Sequence, residues 1–147
     1  ERRGAPIRAF ARISGEEIHL RNEIYTPDIV IVLDESLLDL VDVLKGLKPQ
    51  GSILINTRKK PTDFPFSTQF HVATVDATGI AIAHDIRVGG IPVVNTPILG
   101  SVPRILDRVT LASIQDAIRS KWEGKAELRE RNVQATQDAY AKTEVNF

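Results

Sequence analysis

"PDIVIVLDESLLDLVDVLKGL", Pro27 to Leu47, holds the pattern that decides the fold. Ile29 to Leu33 is an unbroken apolar run, as expected of a strand covered on both faces in a parallel sheet. Asp34 stops the run and is a good helix N-cap. Leu37, Leu40, Val41 and Leu44 then recur at helical spacing, which predicts one buried stripe on a helix closed by Gly46 and Pro49.

The alternation of strand and helix continues downstream. "GSILINT" (Gly51–Thr57) reads as a second buried strand over Ser52–Asn56. "RKKPTDFPFSTQ" follows, a loop of roughly a dozen residues, and loops of that length are often functional or mobile. "FHVATV" (Phe70–Val75) is a third strand, and "TVDATGIAIAHDI" (Thr74–Ile86) hands it to a helix near Gly79–His84. "VGGIPVVNTPILG" (Val88–Gly100) leads into a short helix capped by Asn95 or Thr96, with Pro97 in its first turn. Pro103 is expected to shorten that helix. Thr110 caps a helix with Leu111, Ile114, Ile118 and Trp122 on one side. The charged stretch Lys125–Lys142 has only a thin seam of Leu128, Ala135 and Ala139, so it packs against a neighbour. Its Glu127 sits four residues before Arg131, a spacing that favours pairing.

Near the start, "PIRAFARISGEEIHLR" (Pro6–Arg21) alternates with period two. Ile7, Ala9, Ala11 and Ile13 share one face and Arg8, Phe10 and Arg12 the other. Ser14-Gly15 supplies a turn, and Ile18 and Leu20 resume the period, which predicts an antiparallel hairpin. The whole chain, residues 1–147, therefore reads as a single α/β domain. It is a three-layer Rossmann-like sandwich with a mostly parallel sheet and an edge hairpin.

Hydrophobic residues make up 42% and charged residues 26%, and nineteen basic side chains balance nineteen acidic ones. Global charge thus gives no argument for a nucleic-acid or membrane partner. No apolar run approaches the ~20 residues that span a bilayer. There is no cysteine, so disulfides, thiolate catalysis and a cysteine-held iron–sulfur cluster have no residue in this chain to build on. There is no methionine either, and Glu1-Arg2-Arg3-Gly4 reads like the interior of a protein. The expectation is that a natural N-terminal segment precedes it.

The three histidines, His19, His71 and His84, lie in unrelated elements, and no spacing among them matches a metal site. No nucleophile elbow, GxGxxG or P-loop is present, and Val88–Gly90 is a turn. What remains is polar residues at strand ends: Asp34, Asn56-Thr57, Asp76-Thr78 and Asn95-Thr96. In an open parallel sheet such positions line the crevice where ligands bind, and helix N-termini there offer amides to anions. Asp, Thr and Asn are also the ordinary capping residues, which is the plainer account. Two basic clusters suit an anion, Arg2-Arg3 with Gly4 and Arg58-Lys59-Lys60. A solvated surface is the plainer account of the lysines, and a subunit interface accounts equally for Arg2-Arg3.

"ERRGAPIRAFARIS", "PDIVIVLDESLL", "GSILINT", "VDATGIAIA", "IPVVNTPILG" and "RNVQATQDAY" stand here in this order. As a set they resemble the gamma subunit of 2-oxoacid:ferredoxin oxidoreductases of the pyruvate and 2-ketoisovalerate type, over nearly the whole chain. In that family a strand, a glycine-rich turn and a helix come before the equivalent of "ERRGAP"; they are absent here, and the alanine-rich family helix is interrupted by Pro97 and Pro103. The resemblance implies a cytoplasmic multi-subunit enzyme that decarboxylates a 2-oxoacid on thiamine diphosphate with Mg2+. Electrons would leave through [4Fe-4S] clusters to ferredoxin, and the acyl group would pass to coenzyme A. Cofactor ligands would belong to alpha, beta and delta-type subunits, leaving this chain subunit contacts and coenzyme A handling. Its candidate residues, carried over by the resemblance, are Arg2, Arg3 and Gly4 in "ERRGAP", Asp76, Thr78 and Gly79 in "DATG", and Asn95 and Thr96 in "NT". The competing expectation is a stand-alone Rossmann-like module that binds a nucleotide or acidic metabolite. A third is a purely architectural subunit.

Overall fold

The structure is a computed structural model that describes residues 5–147. Its elements run β1 (Ile29–Val32), α1 (Leu37–Leu40), β2 (Ser52–Asn56), β3 (His71–Val75), α2 (Ala77–Ala83), β4 (Arg87–Val88), β5 (Ile91–Pro92), α3 (Leu111–Lys121), α4 (Ala126–Lys142) and β6 (Glu144–Val145). Three 3-10 stretches lie between them: Pro61–Asp63, Pro65–Thr68 and Pro97–Arg104. The main sheet has the order β1-β2-β3-β6. β1, β2 and β3 are parallel, and β6 joins the outer edge of β3 antiparallel. The α/β class with a mostly parallel sheet, read from the apolar runs, is the fold observed.

β2 is central, and all five of its residues are buried. Because successive strand residues point to opposite faces, the core divides in two. Leu54, Ala73 and Val75 pack with Ala77, Ile80 and Ala81 of α2, Ile98 of the last 3-10 stretch, and Ala135 and Ala139 of α4. Val32, Ile53, Ile55 and Val72 pack on the other side with Leu47 and Phe64, and Leu37, Leu38, Val43 and Leu44 cover them in part. Full burial of an aliphatic side chain contributes about 1.5–3 kcal/mol. The two layers against β2 therefore outweigh any cap or ion pair in the molecule.

Four local expectations need correction. The helix predicted to run from Leu37 to Gly46 is a single turn, Leu37–Leu40. Val41, β-branched, turns extended (φ −139°), and the Asp42 carboxylate then accepts the Leu44 amide at 3.3 Å. Leu40 and Val41 are consequently exposed rather than part of a buried stripe. The long loop after β2 is not without structure of its own: it folds into two 3-10 turns packed on the sheet. Phe64 is buried, and Asn146 donates to the carbonyls of Ser67 (2.9 Å) and Phe70 (3.2 Å) while accepting the Val72 amide (2.7 Å). Two 3-10 turns thus do the covering that a crossover helix would do.

The third correction concerns the edge hairpin. Residues 5–28 form no strand. The segment only doubles back: Arg12 donates to Asn22 Oδ1 at 3.0 Å, and Ser14 Oγ accepts the Glu16 amide at 3.0 Å. Ile7, Ile13 and Leu20 stay about three-fifths exposed, at 62%, 60% and 64%. A two-stranded hairpin with nothing packed on it is marginal in water, and no other element of the described chain covers this one. The edge strand is instead β6, from the far end of the sequence.

The fourth concerns Pro97–Arg104. Its cap position is Thr96, as expected, but the Thr96 side chain makes no capping bond and all eight residues are 3-10. Prolines at 97 and 103 remove donors. In a 3-10 helix residues three apart share a face, which aligns Pro97, Gly100 and Pro103. Gly100 lies directly on the backbone of Thr136 in α4, where a β-carbon would come within 2.7 Å of the Thr136 Cα. The turn at Gly89-Gly90 (φ +58° and +79°) joins β4 to β5 and is the turn the sequence predicts. α3 begins at Thr110, whose Oγ1 accepts the Ser113 amide at 3.1 Å, and buries Ile114 and Ile118 as expected.

Candidate functional site: a crevice at the carboxyl ends of the parallel strands

β1, β2 and β3 end on one side of the sheet, where β2 closes on Asn56 and the chain after β1 and β3 runs into Asp34 and Asp76. Asn56, the last residue of β2, is 8% exposed. Its Nδ2 donates to the Leu33 carbonyl just past β1 (3.0 Å) and to Thr78 Oγ1 in α2 (2.9 Å). Its Oδ1 accepts the amides of Ala77 (2.9 Å) and Thr78 (3.3 Å). One side chain therefore joins the exits of all three parallel strands.

Asp76 caps α2. Its Oδ1 accepts the Gly79 amide at 2.9 Å, and its backbone carbonyl accepts the Ile80 amide at 3.1 Å. With Asn56 on the amides of Ala77 and Thr78, all four donors of the first turn are taken. A helix start binds anions through free amides. This turn offers none, so its contribution is shape and side-chain charge.

That charge comes from the neighbouring residues. A crevice of ≈ 260 Å³ opens here, walled by Thr57 and Arg58 after β2, Asp76 and Ile80, and Lys142 and Glu144 from the end of α4 and from β6. The Arg58 guanidinium leans on Asp76 (Nε to Oδ2, 3.4 Å) with its side chain 86% exposed. A larger hollow of ≈ 640 Å³ is walled by residues of the exposed segment before β1, among them Phe10, Arg12 and Leu20. It contains no strand end, so the smaller crevice is the better-built site.

Glu35 ties the outer rim. It accepts the Thr57 hydroxyl at 2.8 Å and pairs with the Lys59 ammonium at 2.9 Å. The hydrogen bond from Lys59, followed by that from Thr57, holds the Glu35 carboxyl below the usual glutamate range. The same bond pushes the Lys59 ammonium above its usual range. On the far side of α2, His84 Nε2 meets Asp138 Oδ2 of α4 at 2.6 Å, which ties that helix to the wall carrying Lys142.

Of the residues singled out from the sequence, Asp76 lines the crevice, and Thr78 and Gly79 stand behind it in the first turn of α2 without lining it. A β-carbon at 79 would stand 2.9 Å from the Asp76 carboxyl carbon, so a side chain there would displace the capping carboxylate. Asn95 is exposed and Thr96 half-buried, and neither lines the crevice. Arg2, Arg3 and Gly4 lie outside the described residues. Sequence reasoning missed Lys142 and Glu144, which reach the site only because β6 returns beside β3. It also passed over Glu35, which the buried-stripe pattern overshadowed. Among the described residues no group of three His, Asp or Glu side chains comes together to hold a metal ion. With no cysteine in the sequence, the residues present do not fit the expected cysteine-held clusters. No helix of the described residues is long and apolar enough to cross a membrane.

These features define a Rossmann-like α/β domain with a charged crevice at the carboxyl ends of its parallel strands. The chain belongs to the pyruvate ferredoxin/flavodoxin oxidoreductase family, whose pattern matches residues 1–142. It is 44% identical over 148 aligned residues to the pyruvate/ketoisovalerate oxidoreductases common subunit gamma of Pyrococcus furiosus, covering 99% of this chain and 77% of that one. It is 44% identical over 140 residues to the pyruvate synthase subunit PorC of Methanocaldococcus jannaschii, covering 95% of this chain and 73% of that one. The crystal structure of the pyruvate oxidoreductase subunit PORC of Thermotoga maritima superposes with a TM-score of 0.67 at 32% identity. That superposition covers 84% of this chain and 67% of the other.

Proposed function

We propose that this chain is the gamma-type subunit of a cytoplasmic 2-oxoacid oxidoreductase that oxidatively decarboxylates pyruvate or a related 2-oxoacid to its acyl-coenzyme A. Its part is subunit contact and coenzyme A handling. The observation that carries this reading is the family match over residues 1–142, nearly the full chain. Alpha, beta and delta-type partners supply the thiamine diphosphate site with its Mg2+ and the [4Fe-4S] clusters, and ferredoxin takes the electrons from the assembled enzyme. The lack of cysteine in this chain accords with that division of labour.

Subunit contact is supported by the segment ahead of β1. Ile7, Phe10, Ile13, Leu20 and Tyr25 are exposed in the isolated chain, an apolar surface that a monomer has no use for. Coenzyme A handling is supported by the crevice, where Arg58 and Lys142 offer cations beside the turn made by Asp76, Thr78 and Gly79. Arg2, Arg3 and Gly4, with Asn95 and Thr96, complete the proposed coenzyme A contacts. The test is steady-state kinetics of the purified assembled oxidoreductase carrying Arg58→Ala or Arg3→Ala. The reading expects a raised KM for coenzyme A with the KM for the 2-oxoacid and the subunit composition unchanged. An unchanged KM for coenzyme A in both variants refutes a coenzyme role for this chain.

A further inference from the structure

We propose that Asn56, which lies behind the lining, is the positioning residue of the coenzyme A crevice, the single side chain that braces the end of β2, which carries Thr57 and Arg58, against the exit of β1 and against the first turn of α2, which carries Asp76. The proposal rests on the reading that this crevice handles coenzyme A.

An asparagine amide has two donor hydrogens and two acceptor lone pairs. In this structure all four are used, on the Leu33 carbonyl, the Thr78 hydroxyl and the amides of Ala77 and Thr78. The four partners come from two different elements, so the side chain acts as a strut rather than a cap. Asn56 is also 8% exposed, so water does not replace these bonds at low cost. Arg58 and Thr57 follow directly in the chain, and Thr57 extends the same link to Glu35 beyond β1. A shift of Asn56 therefore moves both walls: the Arg58 side through the backbone, and the Asp76 side through α2.

The pattern is asymmetric, and this makes the proposal specific. Aspartate has the same shape and keeps both acceptor roles toward Ala77 and Thr78. When ionised it donates nothing, and it turns a negative oxygen toward the lone pairs of the Leu33 carbonyl. Burial and the facing carbonyl push a carboxyl in that place toward its protonated form, the Ala77 and Thr78 amides oppose them, and protonation, wherever in the acid range it falls, restores one donor. The defect of Asn56→Asp should therefore shrink as pH falls.

The experiment is steady-state kinetics of the assembled oxidoreductase carrying Asn56→Asp, with Arg58→Ala and Thr78→Val made alongside. Asn56→Asp is expected to raise the KM for coenzyme A by about ten- to hundredfold at neutral pH while kcat and the KM for the 2-oxoacid move less than about twofold. The rise should diminish toward acid pH in this variant and not in Arg58→Ala. Thr78→Val removes one of the four bonds and leaves the backbone intact, so it should give a smaller rise; it also serves if Asn56→Asp fails to assemble. If Arg58→Ala raises the KM for coenzyme A and neither Asn56→Asp nor Thr78→Val does, the positioning role is overturned and the crevice reading stands. A uniform loss in kcat and both KM values overturns it too, since that marks general damage. If none of the three variants moves the KM for coenzyme A, the crevice reading itself fails.

Discussion

Asp76 and Gly79 are made for each other: the Asp76 carboxylate accepts the Gly79 amide at 2.9 Å and occupies the space a side chain at 79 would need. A β-carbon there would stand 3.2 Å from Oδ1 and 2.9 Å from the carboxyl carbon, besides a closer approach to Oδ2. The acid and the glycine at the strand-to-helix turn thus have one shared cause. Gly79→Ala is expected to displace the cap and cost α2 about 1 kcal/mol. Faster hydrogen exchange of the Ala77–Ala83 amides in the assembled protein, with other elements unchanged, is the signature to look for.

A tighter constraint lies behind the site. Gly100 rests on the Thr136 backbone, and Ser101 Oγ and Thr143 Oγ1 meet at 2.7 Å beside it. Gly100→Ala must push the 3-10 stretch away from α4, because backbone cannot move aside as a flexible side chain would. The expected cost is about 1–3 kcal/mol. Thermal unfolding of the assembled enzyme should show it as a lowered midpoint, whereas Gly90→Ala meets no neighbour and its cost, about 1–2 kcal/mol, is the backbone strain of φ +79° confined to the β4–β5 turn.

The Glu35–Lys59 pair predicts a pH dependence with a definite sign. Glu35 is held below its usual range in the folded protein, by the Lys59 hydrogen bond first and the Thr57 hydroxyl second. Its contribution is present above the unfolded glutamate range, about pH 4, and is lost as pH falls through the lower folded value. Lys59, held above its usual range, loses its share only as pH rises beyond about 10. Lys59→Met should therefore weaken the fold at neutral pH and flatten its acid limb. Denaturant midpoints measured from pH 3 to pH 7 check this, and an unchanged acid limb in the variant contradicts the assignment. Both side chains are substantially exposed, so the effect is a small one.

The segment before β1 predicts loss of assembly on surface substitution. Ile13→Asp with Leu20→Asp places charge on residues that nothing in this chain covers. The folded domain should be undisturbed, since neither residue belongs to its core. Size-exclusion chromatography of the enzyme should show the variant chain running apart from its partners. Co-elution at the wild-type ratio would remove this surface from the interface.

How far the sequence was legible follows from burial. The runs Ser52–Asn56 and Val72–Val75 announced themselves because both faces of those strands are packed; Ile29–Leu33 reads the same way, yet Ile31 and Leu33 are each 40% exposed, so β1 is covered on one face only, and the parallel sense of all three strands came out as read. The stripe Leu37–Leu44 misled, because four apolar residues at helical spacing also suit one turn followed by an extended bend. The hairpin over Ile7–Leu20 misled for a related reason: alternation records a face awaiting cover and is silent on which molecule supplies it. Asp76, Thr78 and Gly79 were visible as a capped turn. Asn56 was visible as a polar strand end, but its four bonds depend on the register of three strands. Lys142 and Glu144 were out of reach, since only the antiparallel pairing of Thr74 with Glu144 brings them to the crevice.

The central claim is that this chain works as a component whose redox chemistry is housed by its partners. Affinity purification of the chain from its native cells, with identification of the bound proteins and assay of iron and thiamine, tests it most directly. The account predicts recovery with stoichiometric companions that contain both, and 2-oxoacid oxidation by that assembly alone. Recovery of the chain by itself, with no iron- or thiamine-bearing companion, would contradict it.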